Sequence, residues 1–381
     1  MKKLTLLGST GSIGLNTLDV VRMFPEQFSI EALSCRSSIE QLIEQIREFH
    51  PKTVCVDKDE MAGELKQIFP NKDFVFGMQG LEKISTNLEA DLVVSGIVGA
   101  AGLKPTFSAL KAGKTVVLAN KEPLVMAGEL FMQTAIKAGA KLLPADSEHN
   151  AIFQALNNEP IESISRLFLT ASGGSLREKP LNEFENITPA QALDHPNWKM
   201  GSKITIDSAT MMNKGLEIIE AHYLFGVKES VIDVVIHPQS IVHSLVSYLD
   251  GSVLAQLAHP DMKIPIAYTL SWPKRMNINM PRLDLSKIGL LEFHDPDKEK
   301  FPALRLARES IKSGGSACLA FNAANEIAVA EFLAGKIRFT DIVSLVEKVL
   351  EKNIEAGPKS IEDVILMDNE VRKYTESIVG A

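Results

Sequence analysis

Along the first 120 residues, short apolar runs alternate with longer stretches in which apolar positions return at helical spacing. Residues 3–7, 28–33, 53–56, 91–94 and 115–118 read as buried strands, with helices expected at 15–22, 38–48 and 103–111. Strand and helix in strict alternation predict a parallel, doubly wound sheet. The pattern then changes. Residues 140–143 end a strand, 167–169 and 231–236 read as strands, 202–207 alternate like one, and a helix follows Ser208, an α+β arrangement. Past 265, Pro273, Pro281, Pro296 and Pro302 punctuate a linker, and helical periodicity over 304–312, 318–329, 339–351 and 360–378 predicts a small bundle. The fold class expected is α/β: a Rossmann-like N-terminal sheet over 1–145, an α+β catalytic domain over 146–280, a linker over 281–303 and a helical bundle over 304–381.

Composition narrows the class. The 381 residues are 45% hydrophobic and 23% charged, as in a globular protein, and a net charge of −8 leaves no basic footprint for nucleic acid. The three cysteines, Cys35, Cys55 and Cys318, form no C-x-x-C pair, so neither a zinc knuckle nor a disulfide framework is expected. No apolar run approaches the ~20 residues that a membrane-spanning helix needs. The first strand pattern starts at Lys3 and leaves no room for a leader, so the expected location is cytoplasmic, with no membrane partner.

The first strand runs into Gly8-Ser9-Thr10-Gly11-Ser12-Ile13-Gly14 and then a helix. A strand, a glycine turn and a helix start make a cradle for a pyrophosphate, because glycine lets the backbone approach and the first helical amides point at the charge. The spacing is G-x-x-G-x-x-G rather than the commoner G-x-G-x-x-G. After the second strand, where an acid would hold an NAD ribose, the chain has Arg36 flanked by serines, among them Ser37. That suits the 2′-phosphate of NADP; a solvated surface arginine is the alternative. Lys121, just after a later strand, stands where ligands bind in open α/β sheets.

Asp146 and Glu148 stand two apart after a strand end. In extended backbone both would point to one side and could share a hard divalent cation; a polar loop is the other reading. Residues 170–175 (Thr-Ala-Ser-Gly-Gly-Ser) offer a second anion cradle. The stretch from His195 through Trp198 to Gly201 lacks periodicity and reads as a flap near 193–202, or as a static loop anchored by its tryptophan. On the following helix Glu217 and Glu220 share a face, and a carboxylate there could supply a third oxygen ligand, with Ser208, Asn213 and Lys214 as donors for a phosphate; a solvated helix face is the other reading. His243 reads equally as a donor near the chemistry or as a satisfied core histidine. A semialdehyde dehydrogenase on this fold would need a cysteine between Cys55 and Cys318, and none is present. A non-catalytic dinucleotide sensor would not need the acids beside a phosphate pocket.

The segments GSTGSIG, GIVGAAGL, LANKE, LPADSEHNAIFQ, HPNWKMG, DSATMMNKGLE, HPQSIVHSLV and FNAANEIAV together resemble the 1-deoxy-D-xylulose 5-phosphate reductoisomerase family, from Gly8 to the C-terminal helices. Pro123, His259 and the Ser37-Ser38 pair depart from the family pattern. The resemblance implies NADPH- and Mg²⁺- or Mn²⁺-dependent rearrangement and reduction of a ketose phosphate to 2-C-methyl-D-erythritol 4-phosphate, in the non-mevalonate isoprenoid pathway, by a homodimer. It implies Asp146, Glu148 and Glu217 as metal ligands, and Lys121 and His243 near the reacting carbons. Ser147, and Lys121 with Asn213, would contact substrate hydroxyls, with Ser172, Ser208, Asn213 and Lys214 at the phosphate and His195 and Trp198 on the flap. Glu220 would support the ligands. Gly8, Ser9, Thr10, Gly11, Ser12, Ile13, Arg36, Ser37, Gly99, Asn120, Lys121, Glu122, Met200 and Gly201 are its implied NADPH contacts.

Overall fold

The computed structural model describes residues 1–198, 200–352 and 356–379. Lys199, inside the expected flap, lies outside the described residues. Contacts divide the chain into two units. One comprises Met1–Pro123, Phe131–Asn150 and Asp261–Pro281; the other comprises Leu124–Leu130, Ala151–Pro260 and Arg282–Ala381. Both units are assembled from separated segments, because core membership follows packing rather than chain order.

The first unit is built on seven strands: β1 (Lys2–Leu7), β2 (Phe28–Ser34), β3 (Thr53–Val56), β4 (Asp73–Phe76), β5 (Leu92–Ser95), β6 (Thr115–Leu118) and β7 (Lys141–Pro144). Their order is β4-β3-β2-β1-β5-β6-β7, and every pairing is parallel. Leu4, Leu6, Leu33, Val54, Val94 and Val117 are buried in one core, joined by Ile266 and Leu270 from the Lys263–Ser271 helix. The strand order turns back beside β1, so the loops after β1 and β5 face each other at the crevice where such sheets bind ligands. There Gly8 has φ +82°, and a Cβ on it would lie 3.1 Å from Gly96 O. Gly14, in the first turn of the Ser12–Met23 helix, would place a Cβ 2.3 Å from Gly8 O. The turn therefore closes this tightly only with glycine at both positions.

The second unit contains a four-stranded mixed sheet of β8 (Ile164–Ala171), β9 (Ile232–Ile236), β10 (Val242–Tyr248) and β11 (Val253–Leu257), in the order β11-β10-β8-β9. β8 and β9 are parallel; the other pairings are antiparallel. The C-terminal helices share this unit's core: Leu167 and Ile218 cluster with Val329, Phe332 and Ile342, while Met212 and Leu216 cluster with Phe321 and Val346.

Two local expectations are corrected. Residues 202–207 belong to a helix, Ser202–Ala209, not a strand. Six residues are too few to separate period 2 from period 3.6, and the buried set Thr205, Ile206, Asp207 and Ala209 follows the helical face. Asp146 and Glu148 do not lie on extended backbone either, since a helix, Ser147–Leu156, begins between them. No helix among the described residues is long and apolar enough to cross a membrane.

Candidate active site

In the first unit, the candidate residues collect where parallel strands end. The Ser12–Met23 helix has Gly11 as its N-cap, no side-chain cap and no acid in its first turn, which suits an anion. The turn is held from β2 and the next helix. Gly8 N donates to Ser34 Oγ at 2.8 Å, Ser9 N to Ser34 O at 2.8 Å, and Gln45 Nε2 to Ser9 O at 3.0 Å. Thr10 Oγ1 lies 3.3 Å from Cys35 Sγ, while Arg36 and Ser37 just beyond are exposed. Asn120 is buried and staples two loops, its amide donating to Ile97 O and, at 3.0 Å, to Gly99 O. Gly102 must be glycine for the same reason, because a Cβ there would meet that amide at 2.6 Å. Glu122 N closes the staple, donating to Asn120 Oδ1 at 3.3 Å.

Lys121 and Asp146 follow β6 and β7, neighbouring parallel strands, and therefore arrive side by side. Lys121 Nζ stands 2.7 Å from Asp146 Oδ2, and Lys121 is buried. Asp146 Oδ1 accepts from Ser147 N at 3.0 Å and Asp146 O from Asn150 N at 2.8 Å, so Asp146 opens the helix. Ser147 Oγ donates to Glu148 Oε2 at 2.5 Å. His149, wholly buried, places Nδ1 3.7 Å from Asp146 Oδ2. Burial alone would raise the Asp146 carboxyl, but Lys121 and His149 outweigh it and hold it well below the usual carboxylate range. Two carboxylates at a helix N-terminus, one firmly ionised, form a hard oxygen donor set of the kind Mg²⁺ or Mn²⁺ takes. Sequence reasoning missed His149; it is three residues from Asp146, a signal visible only once the segment is read as a helix.

In the second unit, the turn after β8 carries Gly173 and Gly174 at φ +86° and +71°. A Cβ on Gly174 would lie 2.5 Å from Ser208 O, so glycine is what lets this turn pack against the end of the Ser202–Ala209 helix. Ser172 Oγ accepts from Gly174 N at 3.1 Å and lies 3.0 Å from His195 Nε2; Arg177 Nη1 donates to Ser172 O at 2.8 Å. His195 Nδ1 accepts from the amides of Asn197 and Trp198 at 3.2 and 3.0 Å. That fixes the proton on Nε2, which donates to Ser172. Asn197, another residue missed from sequence, hooks the segment down by donating to Pro238 O at 2.7 Å and Ser240 Oγ at 2.9 Å. The Trp198 and His243 rings stand 6.3 Å apart, with His243 buried on β10. Gly201 caps the Ser202–Ala209 helix, just after Met200. On the Met212–Phe225 helix, Lys214 and Glu217 form a buried ion pair, and Asn213 Nδ2 donates to Glu217 Oε1 at 2.5 Å. Glu220, one turn on, is fully buried.

The cysteines offer no nucleophile. All three are buried, and burial pushes the Cys55 and Cys318 thiols up to about 12.

Burial lowers the His195 imidazole below its ordinary 6.5. The unfolded chain therefore binds this proton more readily, and the residue's contribution to stability is lost as pH falls below 6.5. At pH 7, ¹⁵N NMR should show His195 neutral and protonated on Nε2, assigned by difference from His195→Gln. A titration midpoint at or above 6.5, or a proton on Nδ1, would contradict the geometry.

Comparison with known proteins agrees with the motif resemblance. Family profiles of 1-deoxy-D-xylulose 5-phosphate reductoisomerase match residues 4–128 and, for two C-terminal domains of that enzyme, 142–225 and 257–374. The reductoisomerase of Chlorobaculum tepidum is 50% identical over 382 residues, covering 100% of both chains, and that of Thermodesulfovibrio yellowstonii is 48% identical over 380 residues with the same coverage. The Zymomonas mobilis enzyme, solved in complex with NADPH, superposes with a TM-score of 0.94 at 43% identity, over 100% of this chain and 99% of that one. A reductoisomerase crystal structure in complex with NADPH, fosmidomycin and magnesium gives 0.93 at 44% identity, over 99% and 98%. With full-length relatives near half identity, this chain belongs to the 1-deoxy-D-xylulose 5-phosphate reductoisomerase family.

Proposed function

We propose that this chain converts 1-deoxy-D-xylulose 5-phosphate to 2-C-methyl-D-erythritol 4-phosphate, using NADPH and Mg²⁺ or Mn²⁺, as a step in isoprenoid synthesis. The observation that carries the reading beyond family membership is the buried Lys121 ammonium 2.7 Å from Asp146 Oδ2, with Glu148 on the adjoining helical turn. Asp146, Glu148 and Glu217 are the proposed ligands. When bound, the ion would polarise the adjacent oxygens of the hydroxyketone and the dinucleotide would supply the hydride that reduces the rearranged aldehyde.

The protein's own groups divide the remaining work. Lys121 balances Asp146 and presents an ammonium to a substrate hydroxyl, with Ser147 beside it. Ser172, Ser208, Asn213 and Lys214 are the proposed phosphate contacts, and His195 reinforces them by donating toward Ser172. The phosphate is remote from the bonds that change, so its binding energy can be used to hold the flap closed, with Trp198 and His243 shielding the reacting carbons from water. Glu220 supports the ligand set, and Met200 and Gly201 complete the nicotinamide side. Gly8 to Ile13, Gly99, Asn120 and Glu122 shape the dinucleotide cleft, with Arg36 and Ser37 at its 2′-phosphate. We propose a cytoplasmic homodimer joined through β11, an edge strand whose Val253 and Leu254 are half exposed.

Three outcomes test this reading. Asp146→Asn, Glu148→Gln or Glu217→Gln should each lower turnover of 1-deoxy-D-xylulose 5-phosphate by roughly a hundredfold or more. NADPH binding, followed by cofactor fluorescence, should persist, and EDTA should inactivate the enzyme until Mg²⁺ or Mn²⁺ is restored; full activity in all three variants would sink the ligand assignment. Arg36→Ala should raise the KM for NADPH about tenfold while leaving that for NADH nearly unchanged; equal changes would remove the 2′-phosphate role. In sedimentation, Leu254→Lys should shift a dimer toward monomer, and a monomeric parent protein would refute the dimer.

A further inference from the structure

The segment FNAANE on the Ala317–Leu333 helix is the one sequence motif that the proposed chemistry does not use. Its residues are nevertheless built against the phosphate contacts. Ser208 ends one helix and Asn213 and Lys214 begin the next, and the corner between them turns at Met211, a buried non-glycine residue at φ +60°. Left-handed backbone at methionine is unfavourable and persists only where surroundings enforce it.

The Ala317–Leu333 helix grips both sides of that corner. Buried Asn325 donates from Nδ2 to Asp207 Oδ1 at 2.8 Å, one residue before Ser208. Asp207 is itself buried, and its other oxygen lies 2.6 Å from Lys203 Nζ. Four residues earlier on the same helix face, the Phe321 ring closes on Gly215, one residue after Lys214. A Cβ on Gly215 would lie 2.9 Å from Phe321 Cζ, which leaves that side of the corner no room to shift. Among the described residues, the buried Asn325 Oδ1 has no hydrogen-bond partner.

We propose that Asn325 is a positioning residue for the substrate phosphate: with Phe321 it sets the 207–215 corner so that Ser208, Asn213 and Lys214 converge on one anion. The inference rests on the phosphate role given to those three residues above. Asn325 touches no reacting atom and acts through Asp207.

The test compares two Michaelis constants in the full-length enzyme. Asn325→Ala should raise the KM for 1-deoxy-D-xylulose 5-phosphate about tenfold, with the KM for NADPH unchanged and kcat reduced less than KM rises. Asn325→Asp, which sets two carboxylates face to face, should be worse, and adding Asp207→Asn should recover part of the loss by restoring an amide–carboxylate pair. Gly215→Ala should show the same selective rise, relieved by Phe321→Leu, and decides the matter if the Asn325 variants do not fold. Unchanged KM values overturn the proposal, as does an equal rise for both substrates, which would mark a brace of the fold only. Calorimetric titration of inorganic phosphate into the same proteins reads the cradle without turnover. Weaker phosphate binding in Asn325→Ala supports the proposal, and equal or undetectable binding in wild type and variant overturns it. An inactive wild-type enzyme that still binds phosphate, with the variant weakened, would count against the proposed reaction and not against Asn325.

Discussion

Seven strands of the first unit run in one direction, and that constraint decides where its chemistry can be. Each strand enters at one edge and leaves at the other, so Gly8, Arg36, Gly99, Lys121 and Asp146, far apart in the chain, all follow strand ends at the same edge. The turn-back of strand order beside β1 opens a crevice there, and glycines at 8 and 14 bring the backbone close enough to line it. Neighbouring β6 and β7 then deliver a cation and an anion to one point, producing the Lys121–Asp146 contact.

Burial makes that contact consequential. A lone carboxylate in such surroundings would take up a proton; beside Lys121 and His149 it stays charged. The second unit repeats the device, with Lys214 and Glu217 paired where neither is solvated. Buried pairs of this kind are weak evidence for stability, because desolvation offsets much of their attraction. What they do provide is ionised groups held away from water, which is the property the proposed metal and phosphate roles require.

The residue types that bear chemistry were legible because each is confined by local rules. Glycine at 8 and 14 answers to backbone approach, and acids at 146 and 148 are the types proposed for a hard cation. Serines at 172 and 208 are the types proposed for an anion. The acids at 146 and 148 nevertheless occupy a helix start and not extended backbone, and it is the helix that brings His149 to Asp146. Asn197 was hidden because its partners, Pro238 and Ser240, lie some forty residues away and share no pattern with it. Asn325 was hidden likewise, since nothing in a helical apolar run marks which polar residue will meet Asp207.

By itself the sequence determined the alternation of strands and helices, the glycine turn and its cofactor class, and the family, since these depend on periodicity and on residue types at short spacing. Only the tertiary structure decided that the C-terminal helices share a core with the middle sheet, that residues 261–281 return to the first unit, and that 202–209 coil. Hydrophobic burial is non-directional and blind to chain separation, so which apolar face meets which is settled when all of them pack together.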